Sequence, residues 1–226
     1  SDVNGQNKTY LGFEVAVAND IYKIKDNGDY LKTIPLLNGQ WGFNLRQEIN
    51  KNLFIETGLM VKFYQEGFGF KTIPYNSSGS DENSWLIPVR FGLNVNLYKR
   101  KIHFVPVIGY SFGIDTPYGY GLGYGTSKSS TTVINYNYTE NPNSSRYFSL
   151  LQTGIGLEFK FLKALIFSIS ANYYSGFNKI TQLDIRYTVN NSTTMTGAAI
   201  SKGEFWCIGT GLKYPISNFW TKEKQQ

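Results

Sequence analysis

The chain has 226 residues, with 22 Lys and Arg against 16 Asp and Glu, which gives a formal net charge of +6. Its single cysteine, Cys207, excludes a disulfide within the chain and a site built from several thiolates, and its single histidine, His103, limits metal and acid–base chemistry. The basic residues form no long tract, so nucleic acid is not an expected partner.

Aromatic residues make up 16% of the chain, and 23 residues are Gly. This composition favours β structure with many turns. Apolar and polar residues alternate along eight segments, a period of two that is typical of strands. These segments are residues 11–18, 41–46, 55–63, 87–97, 102–114, 153–161, 165–173 and 206–214. Strands of about ten residues are long enough to cross a bilayer at a tilt.

Residues 153–174 have the length of a membrane-spanning helix, but their charges argue for strands. A helix would scatter Glu158 and Lys160 around its circumference, whereas a strand places both on one face. The alternation resumes after Lys163. The stretch is therefore interpreted as two strands joined by a tight turn at residues 161–164.

Short and long connectors alternate along the chain. Short turns are predicted at residues 50–52, 99–101 and 161–163, and long polar loops at residues 20–37, 71–84, 115–145 and 178–202. An up-and-down barrel with both chain ends on the short-turn side produces this pattern. Within the long loops, residues 131–138 and 181–188 alternate enough to extend as strands, and these arms are the predicted interaction surface.

The polar face of the strands is rich in Gly and in both signs of charge, which suits a narrow lumen filled by salt bridges. The predicted lumen charge network consists of Glu14, Arg46, Glu48, Glu56, Lys62, Arg90, Glu158 and Lys160. The same residues could instead line a pore or relay protons. A soluble lipocalin-like barrel is a further alternative, in which the apolar set would point inward around a ligand.

Aromatic residues cluster near the strand ends, as expected at the two bilayer interfaces. Towards the long loops they are Trp41, Phe63, Tyr64, Trp85, Tyr110, Tyr147, Phe148, Tyr173 and Trp206. Towards the short turns they are Tyr10, Tyr98, Tyr214 and Trp220.

The opening pattern TYLGFEVAVAND, the aromatic-ended strands and the last strand FWCIGTGLKYPI resemble small outer-membrane β-barrels of the OmpA/OmpX type. More narrowly, the chain resembles the PorT-like outer-membrane barrel domain of Bacteroidota. The resemblance implies one all-β domain over residues 1–226, a transmembrane antiparallel up-and-down barrel of about eight strands. The barrel would span about residues 8–220, with a polar tail at 221–226. It also implies short periplasmic turns, long extracellular loops and integral location in the outer membrane of a Gram-negative cell.

No catalytic, cofactor-binding or metal site is predicted, and the chain is not expected to be an enzyme. The segment GYGLGYG (residues 119–125) lacks the helical sequence that a phosphate-binding loop requires, so it is interpreted as a flexible outer loop. His103 lies beside a short turn, which favours a structural role, and Cys207 is interpreted as a small wall residue. Basic residues at the turns are candidate contacts for anionic lipid head groups. They are Lys51, Lys99, Arg100, Lys101 and Lys163.

Three hypotheses about function follow. The first is a non-enzymatic outer-membrane barrel with a closed lumen, which binds outer-membrane lipids. It would also bind either a larger outer-membrane complex for secretion, import or assembly, as an accessory component, or an external ligand. The second is an outer-membrane barrel enzyme that acts on lipid or peptide. The third is a soluble carrier of lipophilic ligands.

Overall fold

The computed structural model describes residues 8–73, 78–98, 101–115, 121–142, 146–161 and 165–216, and every regular element within these ranges is a β-strand. None of the described segments forms a helix long and apolar enough to cross a membrane. The strands are β1 Thr9–Asp26, β2 Leu31–Lys32, β3 Leu37–Glu48, β4 Leu53–Phe70, β5 Ser78–Leu93, β6 Val95–Tyr98, β7 Ile102–Asp115, β8 Leu122–Lys128, β9 Val133–Pro142, β10 Tyr147–Phe161, β11 Leu165–Gly176, β12 Thr181–Val189 and β13 Met195–Pro215.

Eight of these strands close into an antiparallel barrel in the order β1-β3-β4-β5-β7-β10-β11-β13. The barrel closes because β13 pairs with β1, from Tyr10 opposite Pro215 to Asp26 opposite Gly197. Strand β6 follows β5 after Asn94 and also pairs with β7. The predicted fold class, an antiparallel up-and-down barrel of eight strands, is confirmed.

The apolar residue of each alternating pair points out of the barrel. On β1, for example, Phe13 is exposed on the outside, whereas Glu14 on the next position reaches into the lumen. Exposed apolar residues form a belt around the outside of the barrel: Leu11, Phe13, Val15, Val17, Phe43, Leu45, Leu59, Val89, Phe91, Ile108, Leu151, Ile155, Leu157, Ile169, Ile208 and Leu212. This orientation is the reverse of the one that the soluble carrier hypothesis requires.

The short connectors lie at one end of the barrel, here called the short-turn end. Between β3 and β4, the side-chain oxygen of Asn50 accepts hydrogen bonds from the backbone N–H groups of Asn52 and Leu53, which closes the turn. Between β6 and β7, the N–H of Lys101 donates to the carbonyl of Tyr98. The predicted turn at 161–164 follows the end of β10, and its residues 162–164 lie outside the described residues.

The opposite, long-loop end is far more regular than the sequence suggested. Strands β2, β8, β9 and β12 all lie in segments predicted as polar loops, and β1 and β13 continue well past the barrel. The predicted arms at 131–138 and 181–188 are confirmed as strands, and they pair with each other, with Ile185 opposite Tyr138. The prediction of a flexible loop is wrong for residues 122–125, which belong to β8 and pair with β9.

These strands build an outer module, defined here as β2, β8, β9 and β12 together with the long-loop ends of β1, β4 and β13. The module has an apolar core of its own, which explains why the segments are ordered into strands. The core contains Tyr22, Leu31, Phe68, Phe70, Ile73, Ile134, Leu183, Ile185, Tyr187, Val189 and Ala199.

A second apolar group, the inner apolar layer, fills the upper lumen below the module. It consists of Ala18, Met60, Tyr64, Leu86, Phe148, Leu150, Tyr174, Ile180, Phe205 and Cys207. Tyr64, Phe148 and Tyr10 were predicted as interfacial aromatics, but their side chains are buried inside the barrel. Trp41, Trp85 and the remaining described members of the two predicted belts face outward, and Trp220 lies outside the described residues.

Candidate functional site

Charged side chains from six different strands meet in the lower lumen, nearer the short-turn end. Glu56 on β4 lies at the centre of this lumen network. It accepts hydrogen bonds from Arg90 (Nη1–Oε1, 2.9 Å) and Arg46 (Nε–Oε2, 3.3 Å), and the Nζ of Lys213 lies 3.1 Å from its Oε2. Three cations therefore share one buried carboxylate.

Two further acids complete the network. Glu158 forms a bidentate pair with Arg46, with distances of 2.8 and 2.6 Å, and also accepts from Lys213 at 3.0 Å. Glu14 pairs with Arg90 at 2.9 Å. Three acids thus face three cations, so the charges balance, which matters because an unpaired charge in this buried position would be costly.

The strand register brings part of this network together. Arg46 lies directly opposite Glu56 on β3 and β4, and Glu56 lies directly opposite Arg90 on β4 and β5. Oppositely charged residues at such paired positions stabilise each other. The contact between Arg46 and Glu158 instead crosses the lumen, since their strands β3 and β10 are not neighbours.

Glycines on the lumen face leave room for these large side chains. A Cβ added at Gly92 would lie 2.1 Å from the ring of Phe54. That ring in turn lies 3.6 Å beneath the guanidinium of Arg46. The lumen is therefore filled by side chains, and a cavity of about 40 Å³ remains within the network, enough for a few water molecules.

A separate ion pair lies higher in the lumen. The Nζ of Lys62 donates to Asp20 Oδ1 at 2.7 Å, to Asn38 Oδ1 at 2.6 Å and to the carbonyl of Phe63 at 2.7 Å. The same ammonium group lies 4.7 Å from the ring centre of Phe205, which belongs to the inner apolar layer. This pair is buried at the boundary between the layer and the outer module.

The structure brings five of the eight predicted lumen charges into the lumen network: Glu14, Arg46, Glu56, Arg90 and Glu158. Lys62 also points into the lumen, but it pairs with Asp20 above the network. The prediction is wrong for Glu48 and Lys160, which lie at the short-turn rim, where Lys160 is exposed to solvent and has less need of a buried partner.

Sequence reasoning missed Lys213 and Asp20. Lys213 occupies a lumen-facing position, since it alternates with the outward-facing Leu212 and Tyr214, and this register was a sufficient signal. Asp20 sits at the first residue of a segment predicted as a loop. It continues the lumen-facing positions of β1, but the loop assignment concealed this.

His103 is buried at the short-turn end, directly opposite Glu158 in the pairing of β7 and β10. Cys207 is buried in the inner apolar layer. The two residues therefore lie at different levels of the barrel. Within the described part of the chain, no group of three or more His, Cys, Asp or Glu side chains is arranged to hold a metal ion.

Of the predicted lipid contacts, Lys51 and Lys101 are exposed at the two described short turns. Lys99, Arg100 and Lys163 lie outside the described residues.

In the outer module, Asp26 ties the end of β1 to β12. Its carboxylate accepts hydrogen bonds from the N–H of Leu31 at 2.7 Å, the hydroxyl of Tyr187 at 2.6 Å and the N–H of Gly28 at 3.0 Å. Burial raises the pKa of Asp26, but these hydrogen bonds outweigh that effect and hold the pKa below its usual value. Asp26 is therefore an ionised and fully engaged structural anchor.

Comparison with known proteins gives a likeness of fold. The outer membrane protein OprG from Pseudomonas aeruginosa has a TM-score of 0.54 to this chain at 11% identity, over 92% of this chain and 96% of OprG. The chain has the fold of a small outer-membrane barrel. A major outer membrane protein from Thermus thermophilus has a TM-score of 0.44 at 10% identity, over 91% of this chain and 99% of that protein. AlkL in lipid bilayers has a TM-score of 0.45 at 11% identity, over 96% and 93% of the two chains. No protein-family model and no curated protein matches the chain.

Proposed function

We propose that this chain is an integral outer-membrane β-barrel of a Gram-negative bacterium that acts by binding and not by catalysis. In this proposal the barrel is a closed anchor, and the outer module is the working surface. It serves as an accessory component of a larger outer-membrane complex for secretion, import or assembly, as the resemblance to PorT-like barrels of Bacteroidota implies. The described residues belong to one such barrel domain.

The apolar belt is the observation that carries the proposal. On β10, outward-facing apolar residues extend from Leu151 to Phe161. Ten residues of tilted strand span about 25 Å, the height of the apolar band in outer-membrane barrels. A protein surrounded by water rarely exposes a continuous apolar surface of this size, so lipid is the environment that the belt fits.

The filled lumen favours a closed barrel and argues against an open pore. The lumen network joins opposite walls through the contact between Arg46 and Glu158, and the inner apolar layer lies above it. An ion would have to break buried pairs and then cross apolar side chains. Both steps are costly in free energy.

Two partner classes follow from the surfaces. Outer-membrane lipids would contact the belt, and their head groups would reach the turn-side cations Lys51 and Lys101. A protein partner would meet the outer module, where Tyr124 on β8 is 90% exposed. Nucleic acid is not proposed as a partner.

The enzyme hypothesis receives no support from the position of His103. A barrel enzyme that uses His needs it near a nucleophile or an acid at the outer rim. His103 instead lies towards the short-turn end of the barrel, level with Glu158 of the lumen network.

Reconstitution into lipid tests the proposal. We expect the purified protein to insert into lipid vesicles, to show heat-modifiable mobility on gels and to produce no steady open-channel current in a planar bilayer, with a porin in the same bilayer as the control. Steady currents would contradict the closed lumen, and failure to insert would contradict the membrane location.

The binding role is tested in native outer membranes that contain the protein. A photo-crosslinking amino acid in place of Tyr124 should give a discrete adduct with one membrane protein, whereas the same group in place of Phe43 in the belt should react with lipid. Equal adducts at both positions, or none at Tyr124, would contradict a protein partner at the outer module.

A further inference from the structure

A groove runs along the outward face of the outer module, above the apolar belt. Its floor is β13, where Thr196 and Ala198 present small side chains. Lys25 on β1 forms one wall and Arg186 on β12 forms the other. Because two strand spacings separate these walls, they lie about 10 Å apart, and the groove encloses about 590 Å³. A single saccharide chain fits these dimensions.

Four cationic side chains lie along the groove and at its foot. Lys23, Lys25, Arg186 and Lys202 form no ion pair or hydrogen bond through their side chains with another described residue. Lys25 lies opposite Ala198 of the floor, and Lys23 lies opposite Ile200 one pair further down. The cations thus follow the groove along its length.

The acids of the groove, in contrast, are already occupied. Asp184 accepts hydrogen bonds from the side-chain amides of Asn141 and Gln182. Asp26 is held by Leu31, Gly28 and Tyr187 as described above. Glu204 lies below the cations, opposite Ile21. These donors are neutral, so the acids keep their negative charge. Four cations face three acids, and the excess positive charge lies at the foot of the groove, where Lys23 and Lys202 outnumber Glu204. An anionic group is favoured there.

The groove leads towards the membrane. Below its floor, β13 passes the exposed Lys202 and reaches the outward-facing Trp206 four residues later. Trp is typical of the bilayer interface, and four residues of strand cover about 13 Å. Lys202 is therefore at the depth of lipid phosphates and the first sugars, and the groove floor lies above it.

We propose that the groove binds the phosphorylated saccharide part of an outer-leaflet glycolipid, an inference that rests on the proposed outer-membrane location. The phosphates meet Lys202 and Lys23 at the foot of the groove. The sugars lie over Ala198, where their hydroxyl groups meet Thr196 and the guanidinium of Arg186. An arginine at this position donates paired hydrogen bonds to phosphate or to neighbouring sugar oxygens.

A titration with a soluble probe tests the charge requirement. The probe is deacylated rough-type lipopolysaccharide that keeps its phosphates, titrated into the full-length protein in detergent by calorimetry. We expect binding by the wild type, and about a hundredfold weaker binding by Lys23→Gln/Lys25→Gln/Lys202→Gln, since each cation near a membrane surface contributes a factor of about five.

The matched control removes the same charge elsewhere on the outer module, by Lys32→Gln/Lys71→Gln/Lys128→Gln. This variant should bind the probe within about twofold of the wild type, because screening weakens charges beyond about 10 Å. Equal losses of affinity in the two triple variants would overturn the groove as the binding site and leave only an effect of net charge. Equal binding of a dephosphorylated probe would overturn the phosphate contact.

A second pair of variants tests the shape of the groove without changing charge. Ala198→Trp fills the floor and should weaken binding at least tenfold, whereas Asn135→Trp, on the exposed face of β9, should leave it unchanged. Both variants are first checked for heat-modifiable mobility of the barrel and for wild-type resistance of the outer module to trypsin. Unchanged binding by a folded Ala198→Trp variant would overturn the groove as the site.

The outcome is separable from that of the proposed function. The titration uses a soluble probe, so it reports on the groove even if the protein fails to insert into vesicles, a failure that would contradict only the membrane location. Insertion into vesicles together with no binding of the probe by the wild type would overturn this inference and leave the proposed function standing.

Discussion

At the scale of single residues, Glu56 links the two halves of the lumen network. Its two oxygens receive Arg90, Arg46 and Lys213, which come from β5, β3 and β13. The other two acids each contact fewer cations: Glu158 meets Arg46 and Lys213, and Glu14 meets Arg90. The balance of charge thus depends on Glu56 more than on any other acid of the network.

Glu56→Gln should therefore lower the free energy of unfolding by about 3–5 kcal/mol, because it leaves one buried positive charge without compensation. The measurement is urea unfolding in lipid vesicles, with the folded fraction read from gel mobility. The matched double variant Glu56→Gln/Lys213→Met restores the balance of charge and should recover part of the loss. A loss below about 1 kcal/mol, or a double variant as unstable as the sum of the single changes, would contradict the role given to Glu56.

At the scale of elements, the outer module has a core that is distinct from the barrel interior. Strand β12 contributes Leu183, Ile185 and Tyr187 to that core, while the alternate residues Asp184 and Arg186 face outward. Its pairing with both β9 and β13 makes it an internal strand of the module sheet. We therefore expect the module to open without disturbing the barrel.

Leu183→Ala should destabilise the module by about 2–5 kcal/mol, since Leu183 is fully buried and its loss leaves a cavity. We expect faster trypsin cleavage within the module while the heat-modifiable mobility of the barrel is unchanged. Thr188→Ala, on the partly exposed face of the same strand, serves as the control and should leave cleavage at the wild-type rate. Equal destabilisation of barrel and module by Leu183→Ala would show that the two unfold as one unit.

At the scale of the whole molecule, the barrel has an inverted arrangement of polarity. Balanced charges and an apolar layer fill its interior, and its outside is an apolar belt. Water would favour the opposite arrangement, because apolar surface is driven out of it. The belt therefore contributes to stability only when lipid surrounds it.

Ile155→Arg tests this arrangement, since Ile155 is 55% exposed halfway along the described outward face of β10. A cation at the midplane of a bilayer should cost about 2–4 kcal/mol of unfolding free energy in vesicles, whereas Phe161→Arg at the short-turn end should cost about 0–1 kcal/mol. The comparison uses one strand and one introduced residue, so only depth differs. Equal costs at both positions would argue against a spanning orientation.

The eight barrel strands and the direction of their faces could be predicted from the sequence, because side chains alternate along a strand and this period is local. Glu158 and Lys160 on one face of residues 153–161 showed the lumen side before any contact was known. What only the tertiary structure decided were contacts between distant residues. Arg46 meets Glu158 across the lumen, 112 residues away, and Lys62 meets Asp20 instead of joining the network.

The outer module shows the same limit. Its core residues lie in segments whose polar residues are typical of loops. The apolar residues between them pack together from separate stretches of the chain, such as Leu31, Phe70, Ile134 and Leu183. The alternation of side chains along a strand shows which way each side chain points. It does not show which distant strand that side chain meets. The sequence by itself determined a barrel with one apolar and one polar face, and it favoured the apolar face as the outside. Three-dimensional packing decided which charges pair and that the long connectors fold into a module of their own.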